Sequence, residues 1–76
     1  MELRFSRHAQ QRMQQRHVDR ETVLLTLETP DDVWSGDNGE EISARNFGTY
    51  TVRVVYEKRE PDICVIITVI RSKLEE

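Results

Sequence analysis

The chain has 76 residues, of which 37% are hydrophobic, and a formal net charge of −3 at pH 7. This length predicts a single domain over residues 1–76 with a small core. The negative net charge excludes a protein that coats nucleic acid with a global positive field. No run approaches the roughly 18 apolar residues of a membrane span and no signal-peptide core is present, so we expect a cytoplasmic protein without membrane association.

Two helices are predicted at the start of the chain. Ser6 is a good N-cap for a helix over residues 7–16, which contains no Gly or Pro. His17 then stands where a left-handed residue commonly ends a helix. Asp19 caps a second helix over residues 20–28. Because the connection is so short, we expect a helical hairpin.

After Pro30 the periodicity changes to two, which predicts strands. The predicted strands are DVWS, EISARNF, YTVRVVYE and ICVIITVIRS. In the third of them, alternation places Arg53 away from the core, and the last is apolar on both faces, so we expect it to be central or covered on both sides. Cys64, the one cysteine, lies in this last strand and is expected to be a buried hydrophobe. The predicted fold is α+β, with the hairpin packed on a four-stranded, mostly antiparallel sheet in the order ααββββ.

The first helix carries an unusual amount of positive charge. His8, Arg12 and Arg16 are four residues apart and therefore share one face, beside an apolar stripe of Ala9 and Met13. Residues 1–20 contain five Arg and two acidic residues, whereas residues 21–76 contain six basic and twelve acidic residues. The helix is thus a basic patch on an acidic body, able to hold a phosphate or an acidic partner.

These side-chain types suit RNA phosphodiester chemistry. An imidazole exchanges protons near neutral pH, and a guanidinium binds phosphate through two parallel hydrogen bonds, while the 2′-hydroxyl of RNA supplies the nucleophile. Without chemistry, the same groups form a clamp for phosphate or carboxylate, or a solvated helix face.

No metal site and no cofactor are expected from the sequence. His8 and His17 are nine residues apart and fall on opposite faces of the helix, and no zinc-type or EF-hand spacing occurs.

The pattern His8-Ala9-x-x-Arg12-Met13-x-x-Arg16, with the segments TPDDVW and VIITVIRS, resembles the bacterial and archaeal domain of unknown function 4258 family. His17 stands where that family usually has Gly, and Ile70 where it usually has an aromatic residue. The resemblance implies a RelE-like fold of the barnase, EndoU, colicin and RelE (BECR) group, which includes many metal-independent ribonucleases and toxins. It also implies an active surface that combines His8, Arg12 and Arg16 with Thr68 and Arg71.

The leading hypothesis is a RelE-like or BECR-type protein, a candidate metal-independent endoribonuclease toxin or a relative of one. In it, His8 is the general acid or base, and Arg12, Arg16 and Arg53 bind phosphate. The expected partners are RNA and an antitoxin or another protein, with self-association as a homodimer as a further expectation. The alternatives are a non-catalytic module that binds an acidic protein segment or a nucleic-acid backbone, and a structural accessory domain.

Overall fold

The computed structural model describes residues 1–73 and contains two helices and one sheet of five strands. In chain order the elements are β1 (Glu2–Phe5), α1 (Arg7–Arg16), α2 (Arg20–Glu28), β2 (Asp32–Ser35), β3 (Glu41–Asn46), β4 (Tyr50–Glu60) and β5 (Ile63–Lys73). The spatial order is β1-β5-β4-β3-β2. All neighbouring strands are antiparallel except β1, which runs parallel to β5. The predicted α+β class is confirmed, with a mixed open sheet.

The predicted four-stranded sheet is wrong by one strand. β1 has only four residues and pairs with the far end of the chain, from Glu2 opposite Ile63 to Phe5 opposite Ile66. Its burial does alternate, since Leu3 is buried between two exposed residues. A strand this short, without a turn linking it to its partner, has no local hairpin signal, which explains why the ααββββ order omitted it.

Helix α1 begins and ends where its capping residues predict. The Ser6 hydroxyl accepts a hydrogen bond from the Ala9 amide at 3.0 Å. At the other end His17 is left-handed, with φ 57° and ψ 47°, and its amide donates to the Met13 carbonyl. Histidine tolerates this conformation better than most non-glycine residues, so it replaces glycine here.

Helix α2 has the predicted bounds and the predicted cap. The Asp19 carboxylate accepts hydrogen bonds from the Thr22 hydroxyl at 2.6 Å and the Thr22 amide at 2.8 Å. These hydrogen bonds lower the pKa of Asp19, because they stabilise the ionised carboxylate. The buried side of α2 consists of Val23 and Thr26.

Both helices contribute to one core on a single face of the sheet, but each packs on its own pair of strands. α1 packs on β5 and β1, and α2 packs on β4 and β3. Both predicted helices are present, but each packs mainly on strands and not on the other helix, unlike the expected hairpin. The buried apolar residues of the sheet are Leu3, Val52, Val54, Tyr56, Cys64, Ile66 and Val69. Neither helix within residues 1–73 is long and apolar enough to cross a membrane.

β5 lies next to the sheet edge and is covered by helices on one face only. It pairs with β4 along its length and with β1 only as far as Ile66. On the outer face Val65 and Ile70 remain half-buried, and Arg53 of β4 is exposed, as alternation predicts. The expectation that the last strand is central is met where β5 lies between β1 and β4, whereas the alternative, cover on both faces, holds for the inner face alone.

Ser6 joins β1, α1 and β5 at one point. A one-residue register shift in β5 leaves Ile67 without a partner in β4. The Ser6 amide donates to the Ile66 carbonyl at 3.0 Å, and the Ser6 hydroxyl donates to the Ile67 carbonyl at 2.9 Å. The bulge thus presents two successive carbonyls to one residue, and this fixes where α1 starts along β5.

We predict that Ser6→Ala lowers the free energy of unfolding by about 1–2 kcal/mol, because the helix cap and the bond to the Ile67 carbonyl are lost together. Urea denaturation followed by circular dichroism measures the change. Gln14→Ala, at an exposed position of α1, is the matched control and should shift stability by less than about 0.5 kcal/mol. A Ser6→Ala loss no larger than that of the control would contradict the anchoring role.

Candidate functional site

Helix α1 presents its cationic residues beside the strand on which it packs. Ala9 is fully buried and Met13 is half-buried against the core. His8 and Arg16 are exposed, and Arg12 is half-buried. The narrow apolar stripe is sufficient to seat the helix, so the row of His8, Arg12 and Arg16 is free to face outwards.

A depression of about 400 Å³, the His8 depression, lies between this row and β5. It is lined by His8, Arg12, Arg16, Thr68, Val69 and Ile70. Because β1 ends opposite Ile66, this part of β5 has no neighbouring strand on the α1 side within residues 1–73. The depression therefore follows an open strand edge, and its volume is in the range of small-ligand sites.

Arg12 and His8 contact each other inside the His8 depression. Arg12 Nε donates to His8 Nε2 over 3.5 Å, a long hydrogen bond. The contact aims a basic nitrogen and a guanidinium at the same space.

The C-terminal end of α1 is attached to β5 by a reciprocal pair of arginines. Arg16 Nη1 donates to the Arg71 carbonyl at 3.4 Å, while Arg71 Nη1 donates to the Arg16 carbonyl at 3.2 Å and the His17 carbonyl at 3.5 Å. Arg71 thereby satisfies carbonyls that a helix end leaves unpaired. The exchange also holds two guanidinium groups at one helix end.

A second depression of about 430 Å³, the Arg71 depression, adjoins the first. It is lined by Arg16, Thr49, Tyr50, Arg71 and Lys73. Arg16 lines both depressions and therefore joins them into one surface, the α1–β5 groove, which consists of the His8 and Arg71 depressions together.

A stack of two aromatic rings between two arginines supports the Arg71 depression. The guanidinium carbon of Arg71 lies 4.0 Å from the Tyr50 ring centroid, and Tyr50 stacks on Phe47 with centroids 5.4 Å apart. Arg45 lies over the Phe47 ring at 5.3 Å and donates to the carbonyl of Thr29, at the end of α2. Each helix thus has an arginine from a strand at its C-terminal end, and the two arginines are linked through the two rings.

The groove is cationic throughout. No acidic residue among residues 1–73 lines either depression. Within residues 1–73, carboxylates lie within 4.0 Å of only two cationic side chains, Arg4 and Arg59, which are both outside the groove. In the same part of the chain no three His, Cys, Asp or Glu side chains are placed to hold a metal ion together. The groove therefore concentrates positive charge on a protein whose net charge is negative.

The structure brings together five of the six residues predicted for the site. His8, Arg12, Arg16 and Thr68 line the first depression, and Arg71 lines the second. Arg53 is the exception: it is exposed on the outer face of the sheet, between its register partners Ala44 and Ile70. It lines neither depression, so the geometry does not join it to the groove.

The sequence reasoning missed Thr49, Tyr50 and Lys73 in the Arg71 depression, and Val69 and Ile70 in the His8 depression. Lys73 had a usable signal, because it lies two residues after Arg71 in β5 and so falls on the same face of the strand. Thr49 and Tyr50 follow the turn at Gly48, whose φ of 100° suits glycine. Their approach to Arg71 depends on pairing of β4 with β5, which no short pattern reveals.

A comparison with known families identifies one match. The model of a family described as Domain of unknown function (DUF4258) matches residues 5–71. This range contains both ends of α1 and all of β5 up to Arg71. Comparison with curated proteins and with solved structures gave no match.

Proposed function

The chain belongs to the DUF4258 family, and we propose that it binds single-stranded RNA at the His8 depression and cleaves it there without a metal ion. The observation that carries the proposal is the convergence of His8, Arg12 and Arg16 on one depression at an open strand edge. Arginine is the side chain best suited to hold a phosphate in two-pronged geometry. The adjoining Arg71 depression extends the same cationic surface.

The local positive charge of the groove supports binding of a nucleic-acid phosphate backbone. Phosphate neutralisation supplies most of the affinity of proteins for nucleic acid, and it acts over a Debye length of about 8–10 Å. The net charge of −3 therefore matters less at the groove than the arginines that line it. A concave depression of about 400 Å³ suits single nucleotides of a flexible strand better than a rigid duplex.

The contact between Arg12 and His8 supports cleavage in addition to binding. A phosphate that engages Arg12 competes with its 3.5 Å bond to His8 and releases the Nε2 lone pair. Nε2 then removes the proton of the ribose 2′-hydroxyl, whose oxygen attacks the adjacent phosphorus. The bond from phosphorus to the 5′-oxygen breaks, water supplies a proton to that oxygen, and a 2′,3′-cyclic phosphate and a 5′-hydroxyl result. Arg12 and Arg16 neutralise the charge that develops on the phosphate.

A relationship to the RelE-like or BECR-type proteins is part of this proposal, and with it an antitoxin partner and a cytoplasmic location. Support comes from the two N-terminal helices followed by an antiparallel meander, and from a basic surface beside the last strand. Bound RNA and a bound protein inhibitor would compete for this groove.

We predict that Arg12→Gln weakens RNA binding by about tenfold or more, because a charge-assisted bond to phosphate is worth about 1.5–3 kcal/mol. Fluorescence anisotropy with a 2′-O-methyl oligonucleotide, which binds but has no nucleophile, measures this loss. Arg12→Lys should retain part of the affinity, since an ammonium keeps the charge but cannot make two parallel hydrogen bonds to one phosphate.

The matched control for this binding test is Arg7→Gln. Arg7 is an exposed residue of the same helix and lines neither depression. It should change affinity by less than about twofold, because an exposed charge outside the depression is screened by solvent and salt. Equal losses for Arg7→Gln and Arg12→Gln would indicate a diffuse field and would remove the His8 depression as the binding site.

We predict that His8→Ala reduces the rate of RNA cleavage by about 10²- to 10⁴-fold, because the proton-transfer group is removed. The assay uses unmodified RNA in EDTA and identifies 2′,3′-cyclic phosphate ends. His17→Asn removes the other imidazole of the chain and is the control, since Asn also tolerates the left-handed conformation at that position.

The outcomes of the cleavage assay separate the two parts of the proposal. No cleavage by the wild-type protein, together with groove-dependent binding, would leave an RNA-binding module. Equal cleavage by wild-type and His8→Ala proteins would contradict the catalytic role of His8.

A further inference from the structure

The Arg71 depression contains more cationic donors than its structural role uses. Across the helix–strand contact, Arg16 uses one terminal nitrogen to bind one main-chain carbonyl, and Arg71 uses one terminal nitrogen to bind two. A guanidinium has five N–H donors, so most donors of both side chains have no hydrogen-bond partner within residues 1–73 and can bind a ligand. Lys73, the third cation of the depression, is exposed and has no role in the core.

We infer that the Arg71 depression binds a second phosphate of the RNA strand whose first phosphate lies in the His8 depression. This inference rests on the proposed function. Three cations line one concave surface on which no carboxylate of residues 1–73 lies, so an anion there gains from all three. Because Arg16 lines both depressions, the two phosphates would be neighbours along one strand.

The chemistry of the depression favours a phosphate over a base. Tyr50, its one aromatic residue, already stacks on Phe47 and lies under the Arg71 guanidinium. A base would have to displace one of these contacts to stack on Tyr50. A phosphate instead meets free N–H groups and the Lys73 ammonium. Lys73, Thr49 and Tyr50 thus become substrate-positioning residues, and the ligand class is an RNA segment with at least two consecutive phosphates.

The salt dependence of binding tests the assignment of Lys73. With a 2′-O-methyl octanucleotide, the slope of log K against log salt should fall in magnitude by about 0.7 in Lys73→Gln, the value for one lost phosphate contact to a single strand. Lys58→Gln is a matched control, because Lys58 is exposed on β4, lines neither depression and is the only other lysine of the chain. Its slope should equal that of the wild-type protein.

Amide chemical shifts distinguish direct contact from a remote charge effect. A 2′-O-methyl dinucleoside monophosphate should shift amides near His8 and Arg12 only. The trinucleoside diphosphate, with two phosphates, should also shift those of Thr49 and Lys73. Circular dichroism of Lys73→Gln confirms that the variant is folded.

The possible failures are distinguishable. If both ligands perturb the His8 depression but neither reaches Thr49 and Lys73, or if Lys73→Gln leaves the slope unchanged, the second phosphate site is overturned while the proposed function stands. If the one-phosphate ligand shifts Thr49 and Lys73 in preference to His8, the Arg71 depression binds a lone phosphate. That result overturns the inference of a second phosphate on the same strand. If the wild-type protein binds neither ligand nor the octanucleotide, both proposals fail.

Discussion

Helix α1 is tied to β5 at both of its ends, and the groove depends on that double attachment. At the start of the helix, Ser6 bonds the two carbonyls that the β5 bulge presents. At its end, Arg16 and Arg71 exchange hydrogen bonds with each other's main chain. Between these points Ala9 is fully buried. The helix therefore lies along the strand in one register, and its cationic row lies over the open edge.

This attachment explains how a small domain keeps several like charges together. Guanidinium groups at one helix end repel one another, and a chain of 76 residues has little core to offset the repulsion. Arg71 reduces the conflict because it also satisfies helix carbonyls and lies over the Tyr50 ring. The residue thus stabilises the fold and leaves N–H donors for a ligand. An anion in the groove would relieve the remaining repulsion, so binding and stability should be coupled.

Local patterns predicted most of the elements, because the interactions that define them are local. Ser6, His17 and Asp19 end or begin helices through hydrogen bonds that span a few residues, and all three act as predicted. β1 was missed because its one partner strand is at the other end of the chain. The arrangement of the two helices was also inaccurate, since helix packing depends on sheet order, which the short loop between them does not determine.

Local patterns likewise predicted the candidate site where its residues are close in sequence and missed it where they are far apart. Helical spacing was sufficient to place His8, Arg12 and Arg16 together, and alternation correctly turned Arg53 away from the core. Arg53 nevertheless lines neither depression, an outcome that the phosphate-binding hypothesis for Arg53 did not include. The reciprocal bonds of Arg16 and Arg71 join elements more than fifty residues apart, so only the folded chain shows them.

The most direct test of RNA binding in the α1–β5 groove is a crystal structure of the protein with a 2′-O-methyl RNA tetranucleotide. We predict a phosphate within hydrogen-bonding distance of Arg12 and Arg16, with the adjacent ribose beside His8 Nε2. A strand that crosses the outer face of the sheet at Arg53, with the His8 depression empty, would contradict it.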